Sequence, residues 1–123
     1  MNRTEGEIQA GILAYLATRP DCFCWRQNVA AFSPRPGSFV RAGVPGLSDI
    51  LCVQSPSGRV VGIEVKREKG GKVSPDQRWW GGSVTTHGGL YVVARSVEDV
   101  REALGEPTAR VAKTPRRKRI FPR

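Results

Sequence analysis

The sequence predicts one α/β domain in which helices and strands follow the order α-β-β-β-α-β-α around a central mixed sheet. Three segments with helical spacing each begin at a capping residue, namely Thr4, Ser74 and Ser96. Four β-rich runs lie between them, two of them joined by a short turn. The chain has 123 residues and is 39% hydrophobic, which suits a single domain with one modest core.

The first helix is predicted over Thr4 to Leu16. Thr4 is its expected N-cap, and Glu7 stands three residues later as in a capping box. Ile8 and Ile12 recur with Leu16 at helical spacing, so this face is expected to pack into the core.

The other two helices follow basic or glycine-containing loops. Ser74 is the expected cap of the second helix, with Pro75 at its first position. Gly81 and Gly82 are expected to interrupt or end that helix. The last helix is predicted over Ser96 to Leu104 and closes the domain.

The strands are predicted from runs of apolar and β-branched residues. The first run has Phe23, Trp25 and Gln27 on one face, and a Pro- and Gly-rich loop, Ser33 to Gly46, follows it. The turn Gln54 to Gly58 joins the next two runs into a hairpin. The four predicted strands are Phe23 to Phe32, Asp49 to Val53, Arg59 to Lys66 and Leu90 to Ala94.

Positive charge is concentrated at the C-terminal end. The formal net charge is +9, and seven of the 20 Lys and Arg residues lie between residues 110 and 123, where there is no acid. We therefore divide the chain into a domain over 1–109 and a basic tail over 110–123. Such a tail indicates a polyanionic partner, with nucleic acid the commonest, although a solubilising tail has the same composition.

Composition argues against a disulfide-rich, zinc-binding, membrane-spanning or secreted protein. Cys22, Cys24 and Cys52 are odd in number, so buried free thiols are expected rather than a disulfide framework. A zinc site is not expected, because His87 is the single histidine. No apolar run reaches the ~20 residues needed to span a bilayer, and no signal peptide is evident. The expectation is a cytoplasmic protein, or one of the host cytoplasm if viral.

One group of charged residues indicates chemistry. Side chains alternate along a strand, so Glu64 and Lys66 share one face while Ile63 and Val65 share the other. In a hairpin, the start of one strand lies beside the end of its partner. Asp49 is therefore expected close to Glu64 and Lys66.

Two converging carboxylates repel each other, and a divalent cation relieves that repulsion. Mg²⁺, or Mn²⁺ in its place, takes one or two carboxylates and keeps several waters. Such an ion activates water and stabilises phosphate charge, and Lys66 can orient the water. The main-chain carbonyl of Val65 is a further candidate ligand. The alternative is a solvated surface strand with an internal ion pair.

Four stretches together resemble the VRR-NUC family of the PD-(D/E)xK nuclease superfamily. They are G-V-P-G-L-S-D-I-L, V-V-G-I-E-V-K, S-P-D-Q-R-W-W and G-G-L-Y-V-V-A-R-S. The resemblance covers roughly residues 4 to 105 and implies a restriction-endonuclease-like core. It implies that Asp49, Glu64, Lys66 and the helix glutamine Gln77 are the catalytic residues. The usual P-D pair is altered here, because Leu47 and Ser48 separate Gly46 from Asp49.

The resemblance also implies an acidic residue on the first helix, and both Glu5 and Glu7 qualify. At 100° per residue, Glu5 falls within the stripe of Ile8 and Ile12, whereas Glu7 falls nearly opposite. Glu5 is therefore the preferred catalytic acid and a candidate metal ligand, with Gln9 beside it. A simple helix N-terminal charge is the alternative role of Glu5.

Basic and aromatic residues flank this group. Phosphate contacts are expected from two sets of cations, one after the E-V-K motif and one in the tail. Trp79 and Trp80 are expected in the core or a subunit interface, with base stacking as the alternative. The expected phosphate-binding residues are Arg67, Lys69, Lys72, Arg116, Arg117, Lys118 and Arg119.

The sequence therefore predicts a metal-dependent DNA endonuclease that hydrolyses phosphodiester bonds. Selectivity for Holliday junctions or other branched DNA is expected, as is a homodimer, because symmetric cutting of two strands needs two sites. A non-catalytic DNA-binding protein that acts through the basic tail is the alternative. A subunit of a larger assembly, with Trp79 and Trp80 exposed to a partner, is a third reading.

Overall fold

A computed structural model describes residues 3–27 and 44–107, and this part of the chain has the predicted α/β architecture. Three helices and four strands occur there in the predicted order. Their bounds are α1 Glu5–Leu16, β1 Cys22–Arg26, β2 Ile50–Gln54, β3 Arg59–Val65, α2 Pro75–Thr86, β4 Leu90–Ala94 and α3 Val97–Leu104. The predicted caps are present, since the side chains of Thr4, Ser74 and Ser96 each accept a main-chain hydrogen bond from the first turn.

The four strands form one mixed sheet in the order β1-β2-β3-β4. Among the first three strands, neighbouring strands are antiparallel. Strands β3 and β4 are parallel, because the crossover through α2 returns the chain to the end of the sheet where β3 begins. Within the predicted hairpin, Ile50 pairs with Ile63. This register fixes which residues meet at the end of β3.

One face of the sheet is the hydrophobic core. Helices α1 and α3 supply Ile8, Ile12 and Val100 to it, and β3 supplies Ile63 and Val65, as predicted. These side chains are at most 2% exposed. The opposite face at β3 and β4 lies against α2, so β3 is covered on both sides there.

The prediction that Gly81 and Gly82 interrupt or end the second helix is wrong, because α2 continues to Thr86. The reason is tertiary packing. A Cβ on Gly81 would overlap the ring of Tyr91 on β4, so glycine lets the helix approach the sheet closely. Gly82 has open space around it and no such constraint.

These adjacent glycines give a matched pair of stability predictions. Gly81→Ala is expected to lower the free energy of unfolding by about 1–3 kcal/mol, because crowding against Tyr91 outweighs the gain in helix propensity. Gly82→Ala is expected to raise it by about 0.5–1 kcal/mol. Urea unfolding followed by circular dichroism measures both. Equal effects at the two positions would contradict close packing at Gly81.

Within the described residues, the first strand begins and ends one position earlier than predicted. It begins at Cys22 and ends at Arg26, although the N–H of Gln27 still donates to the carbonyl of Asp49 at 2.7 Å. The rest of the predicted run to Phe32 and most of the loop before Gly46 lie outside the described residues. So does the basic tail over 110–123, with its four predicted phosphate-binding residues.

The cysteine prediction is wrong for two of the three residues. Cys24 and Cys52 face each other in the β1–β2 register and form a disulfide. Sequence separation concealed this pairing, because only the strand register brings the two residues together. Cys22 is a half-buried free thiol, as expected, and burial raises its pKa to about 11.

None of the helices in residues 3–27 and 44–107 combines the length and apolar character needed to cross a membrane.

Candidate active site

Asp49 and Glu64 converge at the end of the β2–β3 hairpin. Asp49 stands one residue before β2, directly beyond the Ile50–Ile63 pair, and therefore lies opposite Glu64. Its Oδ2 accepts a hydrogen bond from the main-chain N–H of Val65 at 2.7 Å. Asp49 also raises the pKa of Glu64, which indicates that the two carboxyl groups lie close to each other. The proximity predicted from the sequence is thus present.

Glu64 is buried rather than solvated, and only 3% of it is exposed. Its Oε1 accepts from Gln77 Nε2 at 2.5 Å and lies 3.7 Å from Lys66 Nζ. Its Oε2 is buried and has no hydrogen-bond partner among the described residues. This arrangement argues against the alternative of a surface strand with a solvated ion pair.

Burial, and after it the nearby charge of Asp49, raise the pKa of Glu64 from 4.5 to about 8, while Lys66 acts in the opposite direction. Two carboxyl groups that compete in this way at one site are a recognised signature of functional positions. Two negative charges on Asp49 and Glu64 would therefore repel each other, and a bound cation would offset that repulsion.

The acids of the first helix have different surroundings. Glu7 belongs to the cap, where its main-chain N–H and its carboxylate both bond to Thr4 Oγ1. The negative charge of Glu5 also raises the pKa of Glu64, so Glu5 interacts electrostatically with the site. Gln9 is buried, at 8% exposure. The preference for Glu5 over Glu7 stays a prediction.

Gln77 connects α2 to the carboxylates. Its Oε1 accepts from the N–H of Ser74 at 2.8 Å in a capping box, which fixes the side chain. Its Nε2 is thereby directed at Glu64. The resemblance implied a catalytic role for Gln77, and the structure brings its amide to Glu64 Oε1.

The altered P-D segment packs tightly against α2 and β3. Ser48 is fully buried and accepts a hydrogen bond from Trp80 Nε1 at 2.7 Å. A Cβ on Gly62 would lie 2.5 Å from Ser48 Oγ, and a Cβ on Gly46 would overlap the main chain of Asp76. Trp80 therefore helps to position Asp49, whereas Trp79 is 60% exposed.

Basic residues line a cavity at the start of α1. Arg67 and Lys69 share it with Arg3 and Glu5, so the segment after the E-V-K motif lies next to the start of α1. Lys72 is exposed on the same segment but does not line this cavity. Two of the three predicted phosphate contacts on this loop thus lie beside the predicted helix acid.

Arg95 holds this loop in place, and sequence reasoning missed it. Its guanidinium donates to the carbonyls of Arg67 at 2.8 Å, Gly70 at 2.5 Å and Gly71 at 2.9 Å. Gly70 and Gly71 both have positive φ, which exposes their carbonyls to one donor. The only available signal was an arginine directly after the last strand.

Arg95→Ala is expected to weaken DNA binding by about tenfold, because the loop that carries Arg67 and Lys69 loses three charge-assisted hydrogen bonds. Arg78→Ala is the matched control, since Arg78 is exposed and makes a single 3.4 Å contact with Val73. Fluorescence anisotropy with a labelled duplex measures both. If the two variants bind alike, the positioning role of Arg95 is excluded.

The donor set fits a hard divalent cation. No three His, Cys, Asp or Glu side chains in residues 3–27 and 44–107 are grouped so as to hold a metal ion. Mg²⁺ needs fewer protein ligands, because it takes one or two carboxylates and keeps several waters. The unpartnered Oε2 of Glu64, beside Asp49, is the donor that such an ion requires.

An acidic pair and a lysine at the end of a β-hairpin, flanked by helices on both sides, define a PD-(D/E)xK-type nuclease domain. The chain belongs to the VRR-NUC family, whose domain model matches residues 4–98. Comparison with curated proteins and with solved structures found no match. The family establishes a nuclease domain, and this nuclease domain implies a DNA substrate.

Proposed function

We propose that this protein is a Mg²⁺- or Mn²⁺-dependent deoxyribonuclease that hydrolyses phosphodiester bonds, with selectivity for branched DNA. One observation carries the metal dependence. The buried carboxyl of Glu64 has an unpartnered oxygen, and its pKa is raised by burial and by Asp49. A buried carboxylate beside a second, half-buried carboxylate is costly unless a cation binds it.

Asp49 and Glu64 would hold the ion, with the carbonyl of Val65 and the carboxylate of Glu5 as further candidate ligands. When bound, the ion lowers the pKa of a coordinated water and offsets charge on the phosphate. Lys66 Nζ lies on the same side as Glu64 and can orient the water or contact a phosphate oxygen. Gln77 keeps Glu64 Oε1 in place, which leaves Oε2 for the ion.

DNA would approach over the basic loop. Arg67 and Lys69 are exposed beside Glu5, with Lys72 further along the loop, and all three would contact phosphates of the bound DNA. The tail residues Arg116, Arg117, Lys118 and Arg119 would add sequence-independent attraction. Binding is therefore expected to weaken steeply with salt.

The test is a panel of labelled substrates with the full-length protein in Mg²⁺, in Mn²⁺ and in EDTA. The panel contains a Holliday junction, a flap, a nicked duplex and a linear duplex. Metal-dependent cutting that is strongest on branched members supports the proposal. Salt-sensitive binding without cutting in either metal, lost when residues 110–123 are removed, would instead support a DNA-binding protein.

A homodimer is part of the same proposal. One chain of this size offers one site, whereas symmetric cutting of two strands needs two. Solution mass by light scattering is expected to be twice the chain mass of 13.5 kDa at micromolar concentration. A monomer, with or without DNA, would remove the symmetric-cleavage part of the proposal and leave the hydrolysis intact.

A further inference from the structure

Among the described residues, an exposed aromatic face lies beside the candidate active site. On the side of the sheet opposite α1 and α3, β1 presents Phe23 and Trp25, which are 66% and 38% exposed. Val53 and Val60 continue the row onto β2 and β3, where Phe23 pairs with Val53 and Val53 with Val60. These two valines are 38% and 43% exposed. We call these four residues the aromatic face.

The two rings are held in a defined arrangement. Their centroids are 5.6 Å apart and their planes are inclined by 48°. The indole N–H of Trp25 donates to Gln27 Oε1 at 2.8 Å, which satisfies its polar atom and leaves the ring surface available. Residues two apart on a strand are spaced by about 6.6 Å, so the rings stand at successive positions along one line.

The row of side chains from Phe23 through Trp25 points along β1 toward Asp49. The N–H of Gln27 donates to the carbonyl of Asp49, and Trp25 pairs with Leu51, two residues beyond Asp49. Trp25 is therefore about 7 Å along the strand direction from the level of Asp49. Neither β1 nor β2 contains an acidic residue, so a phosphate chain meets no carboxylate on these strands.

We propose that the aromatic face binds unpaired nucleobases of the DNA strand that enters the site, with Phe23 and Trp25 stacking on successive bases. Exposed aromatic side chains on an open sheet are a recurrent platform for single strands, because every base has a π-face. The substrate class that follows is DNA with a single-stranded segment next to the scissile bond, such as a flap, a gap or a splayed branch. This inference rests on the proposed nuclease function.

The experiment measures binding of a fluorescein-labelled oligothymidylate and of a blunt duplex in EDTA. Phe23→Leu and Trp25→Leu keep apolar surface but remove the rings, whereas Phe23→Tyr and Trp25→Phe keep a ring. Each leucine variant is expected to bind the oligothymidylate about tenfold more weakly. The aromatic variants should stay within about twofold of the wild type, and duplex binding should be unchanged throughout.

Three results would overturn the proposal. The first is leucine variants that bind oligothymidylate like the wild type. The second is equal loss for oligothymidylate and duplex, which would indicate a general defect. The third combines two measurements: Phe23→Ser and Trp25→Ser change the solution mass, while the leucine variants bind oligothymidylate normally. That result would assign the face to a second copy of the chain.

Failure of this inference can be told apart from failure of the nuclease proposal. Binding in EDTA does not depend on hydrolysis, so stacking can be confirmed in a protein that cuts nothing. Conversely, if the protein cuts DNA with metal but binds oligothymidylate equally well without the rings, only the stacking proposal is rejected and the nuclease proposal stands. In a protein that passes both tests, the leucine variants should lose their preference for a flap over a nicked duplex.

Discussion

Glu64→Gln is expected to lower DNA cleavage by at least about a thousandfold while the domain stays folded. Glutamine has nearly the same shape, and its carbonyl oxygen can still accept the hydrogen bond from Gln77. What is lost is the negative charge that, with Asp49, would hold the cation, and loss of preorganised electrostatic stabilisation has effects of this size. Initial rates on the best substrate of the panel in Mg²⁺ measure the change.

The acids of the first helix provide the matched control. Glu5→Gln is expected to lower the rate by about tenfold, because its charge acts at Glu64 from the edge of the site. Glu7→Gln is expected to change it less than about twofold, since Glu7 is used in the helix cap. If Glu64→Gln retains wild-type cleavage, or if Glu7 matters more than Glu5, the proposed site is wrong.

The second large effect concerns stability and pH. Burial together with Asp49 raises the pKa of Glu64 in the folded protein to about 8, against 4.5 for the exposed group. Between these values the folded state binds the proton that the unfolded state has lost. The free energy of unfolding is therefore expected to be greatest below about pH 4.5, as far as this group is concerned, and to fall as pH rises toward 8. The shift corresponds to at most about 5 kcal/mol.

Glu64→Gln supplies the control for this pH dependence. Glutamine does not titrate, so the variant should lose the decline between pH 5 and pH 8 and should be more stable than the wild type at pH 8 in EDTA. Urea unfolding at a series of pH values measures both proteins. Parallel pH profiles would show that Glu64 is not the buried acid that the structure describes.

Local features of the chain were readable from the sequence because their causes are local. Thr4, Ser74 and Ser96 cap helices through bonds within one turn. The alternation along β3 placed Glu64 opposite Ile63 and Val65, and the short turn after Gln54 set the hairpin that brings Asp49 close. The family resemblance then added Gln77 and an acid on the first helix, and helical spacing favoured Glu5 over Glu7.

Features that depend on another element could not be read in this way. Gly81 has the sequence signature of a helix end, yet it is required by the ring of Tyr91. Cys24 and Cys52 are 28 positions apart and meet only through the β1–β2 register. Arg95 binds a loop 24 to 28 positions earlier in the chain.

The sequence by itself determined where the helices begin, the hairpin and the proximity of Asp49 to Glu64, since each follows from local spacing. The tertiary structure alone decided that Glu64 is buried by α2, with Gln77 on one oxygen and none of the described residues on the other. It also decided that Phe23 and Trp25 stay exposed. The physical reason is that burial depends on what packs above a strand, and no pattern within the strand records it.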